Sequence, residues 1–80
     1  MLHVSVISPE ATLFEGDAAS VVAPAFDGEV GILTGHAAMV TVLGNGTLKV
    51  GDGASFHVEG GFLQVVDNRV RVVTEKASKL

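Results

Sequence analysis

Through most of the chain, apolar residues recur at every second position. Val4 and Val6 alternate with His3 and Ser5, and Leu48 and Val50 with Thr47 and Lys49. Phe56 and Val58 alternate with Ser55, His57 and Glu59, and Val70 and Val72 with Arg69 and Arg71. Successive side chains of a strand point to opposite faces, so a period of two marks a strand with one face buried. Shorter apolar runs at 12–15, 20–23 and 62–66 read as further strands. Ser8, Pro9 and Glu10 stop the first strand, because proline gives a ladder no amide and fixes its own φ. Pro9 also fits the first turn of a short helix, although no apolar period of 3.6 follows it. Gly16-Asp17 reads as a turn, and Pro24 closes the strand before it. Gly44-Asn45-Gly46, Gly51-Asp52-Gly53 and Asp67-Asn68 read as tight hairpin turns, since Gly and Asn tolerate positive φ, and Gly60-Gly61 breaks the run between two strands. The charged residues 75–80 read as a frayed tail, too short to hold a helix unaided.

Short, evenly spaced strands with no amphipathic helix predict an all-β fold, a small sandwich or barrel occupying residues 1–74. The predicted core is Val4, Val6, Val22, Val50, Phe56, Val58, Leu63 and Val65. One stretch departs from the plain alternation. Residues 28–43 open with Gly28, Gly31 and Gly35, carry Glu29 and His36 on expected turns, and end in an apolar run. Glycine at that density marks a backbone bent through unusual angles or approached closely by something else. Leu33 and Met39 inside it read first as core residues, and Glu29 as an exposed turn carboxylate.

Composition narrows what such a fold can do. Eighty residues make one domain with a marginal core, and there is no cysteine to staple it or to ligate a metal. The chain is 48% apolar but only 18% charged, where about 25% charged is usual for soluble domains. A small domain with so few surface charges is a candidate for standing on a partner. The net charge is −4 and Lys49 is the only basic residue before Arg69. No cluster of Lys and Arg exists to neutralise nucleic-acid phosphates or anionic lipid. No apolar run approaches the roughly 20 residues that span a bilayer, and the first residues lack the charged and apolar regions of a signal peptide. The chain reads as cytoplasmic.

Candidate chemistry is sparse. His3, His36 and His57 stand on separate segments without the closely spaced ligand pair that announces most zinc sites, so no metal site is expected. No serine occupies a GxSxG elbow, and Gly28-Glu29-Val30-Gly31 lacks the lysine and spacing of a phosphate cradle. The carboxylates are scattered over turns. Neither a nucleophile nor an acid–base pair is legible, so the chain reads as non-catalytic and without cofactor.

The order of segments carries more information than any one of them. SPE (8–10), FEG (14–16), VVAP (21–24) and GEVGILTGHA (28–37) are followed by GGFLQV (60–65) and NRVRVVTE (68–75). This series resembles the N-terminal β-sandwich domain of the epsilon subunit of rotary ATP synthases, called delta in mitochondria, and covers essentially the whole chain. The resemblance implies a flattened sandwich of two five-stranded sheets. It implies a place in the central rotor, packed against the gamma subunit and the polar loops of the c-ring. Gly28, Glu29 and Gly31 carry over as c-ring contacts, and Ser8, His36, Met39 and Thr41 as gamma contacts. It implies a peripheral position on the cytoplasmic face of a bacterial cell membrane, with no membrane insertion and no nucleic-acid partner.

The chain departs from the family pattern at two places. Ala38 and Met39 follow Ala37 where proline is common. The family usually continues past Leu80 into a helical hairpin that inhibits ATP hydrolysis and in some members binds ATP, so no ATP binding is expected of these residues. The other reading of the same pattern is a small β-sandwich that binds a ligand or peptide unrelated to ATP synthase. A metal-dependent enzyme is a more distant alternative.

Overall fold

Two antiparallel hairpins build most of each sheet, and the chain crosses between the sheets five times. The structure is a computed structural model describing residues 1–80. Its ten strands are β1 (Leu2–Ile7), β2 (Thr12–Ala18), β3 (Ser20–Ala25), β4 (Gly28–Leu33), β5 (Met39–Val42), β6 (Asn45–Val50), β7 (Ala54–Glu59), β8 (Phe62–Val66), β9 (Arg69–Val73) and β10 (Lys76–Lys79). One sheet has the order β2-β1-β9-β8-β5 and the other β10-β7-β6-β3-β4. All neighbours are antiparallel except β1 and β9, which run parallel with Val4 opposite Val70 and Val6 opposite Val72. The molecule measures 28 × 25 × 20 Å, the thin dimension matching two sheets packed about 10 Å apart with their outward side chains.

The period of two becomes the core. Val4, Val6, Leu48, Val50, Phe56, Val58, Leu63, Val65, Val70 and Val72 all face inward and are buried. Phe56 is the largest fully buried side chain and meets Phe14 edge-to-face, with ring centroids 6.4 Å apart. At β3 the expected face is the wrong one. Val22 is only half-buried and points outward opposite Lys49 and Gly31, while Val21 is buried opposite Val50 and Ile32. Ser20-Val21-Val22-Ala23 holds two adjacent valines, so its pattern leaves the face open and the pairing register settles it. Leu33 is corrected for the same reason. It lies opposite Ser20 on the outer face and is 64% exposed, while its neighbour Ile32 enters the core.

The turns divide into two kinds. Gly51-Asp52-Gly53 joins β6 to β7, and Asp67-Asn68 joins β8 to β9 with φ of 50° and 62°, as a type I′ hairpin requires. Gly44-Asn45-Gly46, by contrast, closes no hairpin: it carries the chain from β5 in one sheet to β6 in the other, and none of the three residues has positive φ. Its glycines serve close approach, since a Cβ on Gly46 would press on the Pro24 ring at 3.0 Å. Gly61, with φ of 106°, needs both properties, because a Cβ there would overlap the Val73 carbonyl oxygen. Gly16-Asp17 is no turn either, as β2 runs through it to Ala18 opposite Leu2. Pro24 lies inside β3 rather than closing it, facing the outer side opposite Glu29.

Residues 76–79 are an ordered strand. β10 pairs with β7, Ala77 opposite Val58 and Lys79 opposite Phe56. Thr74 makes the crossing possible: it is the one buried polar residue, and its hydroxyl lies 3.0 Å from both the Gly60 and Lys76 carbonyl oxygens. A free edge on β7 gave the tail a ladder to join, which its own sequence does not advertise.

Candidate partner-binding surface

The residues singled out in 28–43 lie along one side of the sandwich, where β4 and β5 are the free edges of the two sheets. A two-residue turn, Phe26-Asp27, returns β3 into β4 with Ala25 opposite Gly28. Glu29 is therefore on a strand and not on a turn, but it is exposed as expected. Glu29, Gly31 and Leu33 share the outer face of β4, while Val30 and Ile32 face the core. Gly28 and Glu29 mark one end of this side and the turn at Thr34-Gly35 the other, about 17 Å apart along a six-residue strand.

At that second end the connection to β5 is pinned. The His36 amide donates to the Leu33 carbonyl at 3.1 Å, and the Gly35 amide donates to Asn68 Oδ1 at 2.6 Å. The half-buried His36 ring places Nδ1 2.6 Å from the Ala37 carbonyl, which orients the imidazole along the connection. β5 then pairs with β8. Met39 lies opposite Val65 and Thr41 opposite Leu63, so both turn inward and are half-buried, with Met39 packed on the core. Val40 and Val42 turn outward and are 68% and 58% exposed.

Of the expected partner contacts, His36, Met39 and Thr41 thus follow one another along the β5 side, with Met39 and Thr41 half-buried on its inward face. Ser8 lies elsewhere, closing the β1–β2 turn through hydroxyl hydrogen bonds with Ala11. Three strand spacings separate β1 from β5 in the sheet order, roughly 14 Å.

An apolar patch on the outer face was not foreseen. Val42 stands opposite Phe62, and Phe62 opposite Val73, which neighbours Ile7. Phe26, 82% exposed, reaches the same corner, where its amide donates to the Val42 carbonyl at 2.9 Å. Val42, Phe62 and Val73 sit in apolar runs that fit either face until the register turns them out, whereas Phe26 stands on the β3–β4 turn.

No cluster of three or more His, Cys, Asp or Glu is placed to hold a metal ion. His3 lies 3.4 Å from Glu15 and 3.3 Å from Asp17 on the outer face, in the open. What the surface offers is apolar contact area, free strand edges and a few carboxylates.

Two five-stranded sheets packed face to face, with one side low in charge, define a small β-sandwich domain. Residues 1–80 match the family described as ATP synthase, Delta/Epsilon chain, beta-sandwich domain, and the chain belongs to that family. The ATP synthase epsilon chain of Leptospira borgpetersenii is 46% identical over 77 residues, covering 92% of this chain and 61% of that protein. The epsilon chain of Caulobacter vibrioides is 38% identical over 79 residues, covering 95% of this chain and 92% of that protein. Among solved structures, a chain of the mitochondrial ATP synthase of Euglena gracilis, in a complex of OSCP, F1 and the c-ring, superposes with a TM-score of 0.88 at 25% identity. It is covered over 52% of its length, and this chain over 98%. The chain thus spans about three-fifths of the length of the Leptospira relative. The reading of an unrelated ligand-binding sandwich is overturned by this membership.

Proposed function

We propose that the chain is a central-stalk subunit of a proton-translocating ATP synthase, binding gamma and the c-ring and coupling rotation to ATP synthesis. It is non-catalytic, takes no cofactor and binds no ATP through these residues. It works peripherally on the cytoplasmic face of a bacterial cell membrane, held there by its partners. No helix of the chain is long and apolar enough to cross a membrane. The gamma contacts are His36, Met39 and Thr41 along the β5 side, with Ser8 at the far corner. The c-ring contacts are Gly28, Glu29 and Gly31.

The observation that carries this reading is the exposed apolar corner of Val40, Val42, Phe62 and Phe26, on the β5 side, in a chain that belongs to the epsilon family. Apolar side chains left in water on a stiff β scaffold mark a surface that a partner covers. The experiment is co-expression with gamma from the same source, followed by purification on a tag carried by gamma. The wild-type chain is expected to co-purify. Val42→Lys is expected to remain folded, since the side chain points to solvent, yet to lose co-purification. A wild-type chain that never joins gamma would overturn the proposal.

A further inference from the structure

The four free strand edges are not alike. β2 carries Glu15 and Asp17, and its pairing with β1 is interrupted by a register shift beside Ile7. β10 is four residues long and holds Lys76 and Lys79. β5 is also four residues long, and its end is tied down by the Phe26 amide. β4 has six residues, no proline, no lysine and a single charge, Glu29. Charge, shortness and bulges are the usual means of keeping an edge from accepting another strand. β4 has almost none of them.

The hydrogen-bond phase of β4 can be read from the pairing. A hairpin closed by a two-residue turn exchanges bonds at its flanking pair, and bonded and non-bonded pairs then alternate. Ala25–Gly28, Ala23–Val30 and Val21–Ile32 are therefore the bonded pairs. The other side of β3 agrees, since Ser20 accepts from the Gly51 amide at 2.8 Å and so points toward β6. The amides and carbonyls of Glu29 and Gly31 face the open edge.

Gly31 adds a second, independent feature. It has no positive φ, and a Cβ built on it would meet nothing within 4 Å. Nothing inside the chain requires glycine at a mid-strand position where glycine weakens the strand. Its absent side chain leaves a notch in the outer face over half-buried Val22, bounded by Glu29 and the exposed Leu33. The β3–β4 hairpin itself carries only negative charge, Asp27 and Glu29, and the nearest cation on the outer face, Lys49, stands two strands away beyond Val22.

We infer that β4 accepts an extended segment of a partner subunit as an added strand. The segment bonds to the free backbone groups of Glu29 and Gly31, places a large apolar side chain in the Gly31 notch, and brings a basic residue to Glu29. This rests on the rotor reading and specifies how that side of the domain is engaged. Strand addition takes its affinity from main-chain bonds and its specificity from alternate side-chain pockets, and β4 presents both.

The test compares amide hydrogen exchange of the isolated chain with that of the chain assembled with gamma and the c-ring from its own source. The Glu29 and Gly31 amides are expected to slow by at least about tenfold on assembly, while those of Val30 and Ile32, already bonded to β3, change less. Gly31→Val is expected to leave the isolated chain as heat-stable as wild type and to weaken assembly at least about tenfold. Gly53→Ala, at an equally open turn glycine, is expected to change neither. If the complex forms with the Glu29 and Gly31 amides exchanging as in the free chain, strand addition is wrong and the rotor reading stands. If the wild-type chain does not assemble, both fall. Self-association of the isolated chain through β4, seen by sedimentation, would make a second copy the occupant and overturn the inference.

Discussion

The two sides of the sandwich are built from the same kind of strand and finished in opposite ways. On one side β2 and β10 end the sheets with Glu15, Asp17, Lys76 and Lys79 at the rim. On the other, β4 and β5 end them with Glu29 as the only charge. The guarded side is closed from within, where Phe14 beneath β2 leans on Phe56 beneath β7. The bare side has its apolar residues outside, at Val40, Val42 and Leu33. An edge that must stay in water is charged and short, so the unguarded edge is the one built to be covered.

The largest effect is expected from removing the anchor of the guarded side. Phe56→Ala would empty a fully buried site where β6, β7 and β10 meet the opposite sheet, and is expected to cost about 3–5 kcal/mol. For a domain of this size the total is only about 4–12 kcal/mol, and the melting point in a calorimeter should fall by roughly 12–40 °C. An unchanged melting point would mean that the core is centred elsewhere and that the two sides are not distinguished by what lies beneath them.

A smaller loss tests whether the guarded side is held on by its crossing. Thr74→Val keeps the shape but withdraws the proton that the Gly60 and Lys76 carbonyls share, an expected cost of about 1–3 kcal/mol. Hydrogen exchange should quicken at β10 before it quickens at β4. Equal acceleration on both sides would show that β10 is not an independently closing edge.

Phe56 and the β8–β9 hairpin were both legible beforehand. Phe56 stands in an unbroken alternation, so its face followed from period alone. The hairpin at Asp67-Asn68 followed from turn chemistry that only a few residues satisfy. Val22, Leu33 and Val42 could not be placed so, because adjacent apolar residues fit either face until a neighbouring strand fixes the register. Gly44-Asn45-Gly46 misled because glycine serves close approach as well as tight turning, and a sequence does not say which. β10 was hidden because a short polar segment becomes a strand only where another strand offers it an edge. Of the partner surface, the stretch 28–43 stood out by its glycines, but the apolar corner at Phe62 and Phe26 belongs to strands distant in sequence.

A subtler change reaches the bare side. Asn68→Gly keeps a residue that accepts positive φ while removing the Oδ1 that holds the Gly35 amide. Global stability should move by less than about 0.5 kcal/mol, yet exchange at Gly35 and His36 should quicken. If those amides were indifferent, the connection leading into β5 would be held by something other than Asn68, and the placement of His36, Met39 and Thr41 would need another cause.

The smallest effect on folding goes with a clear effect on function. Glu29→Arg reverses the single charge on the bare side, at an exposed position without an ion-pair partner, so the melting point should shift by no more than about 0.5 kcal/mol allows. If the added strand brings a basic residue to Glu29, proton pumping and ATP synthesis should fall in the reconstituted enzyme, because two like charges then meet. Raising the salt should shrink the deficit, since exposed charges beyond about 8–10 Å are screened near physiological ionic strength. Glu15→Arg on the guarded side, where the carboxylate meets only His3 at 3.4 Å, is the matching control and should leave coupling unchanged. Equal losses from both reversals would show that coupling responds to net charge rather than to which edge carries it, and the contrast between the two sides would lose its functional meaning.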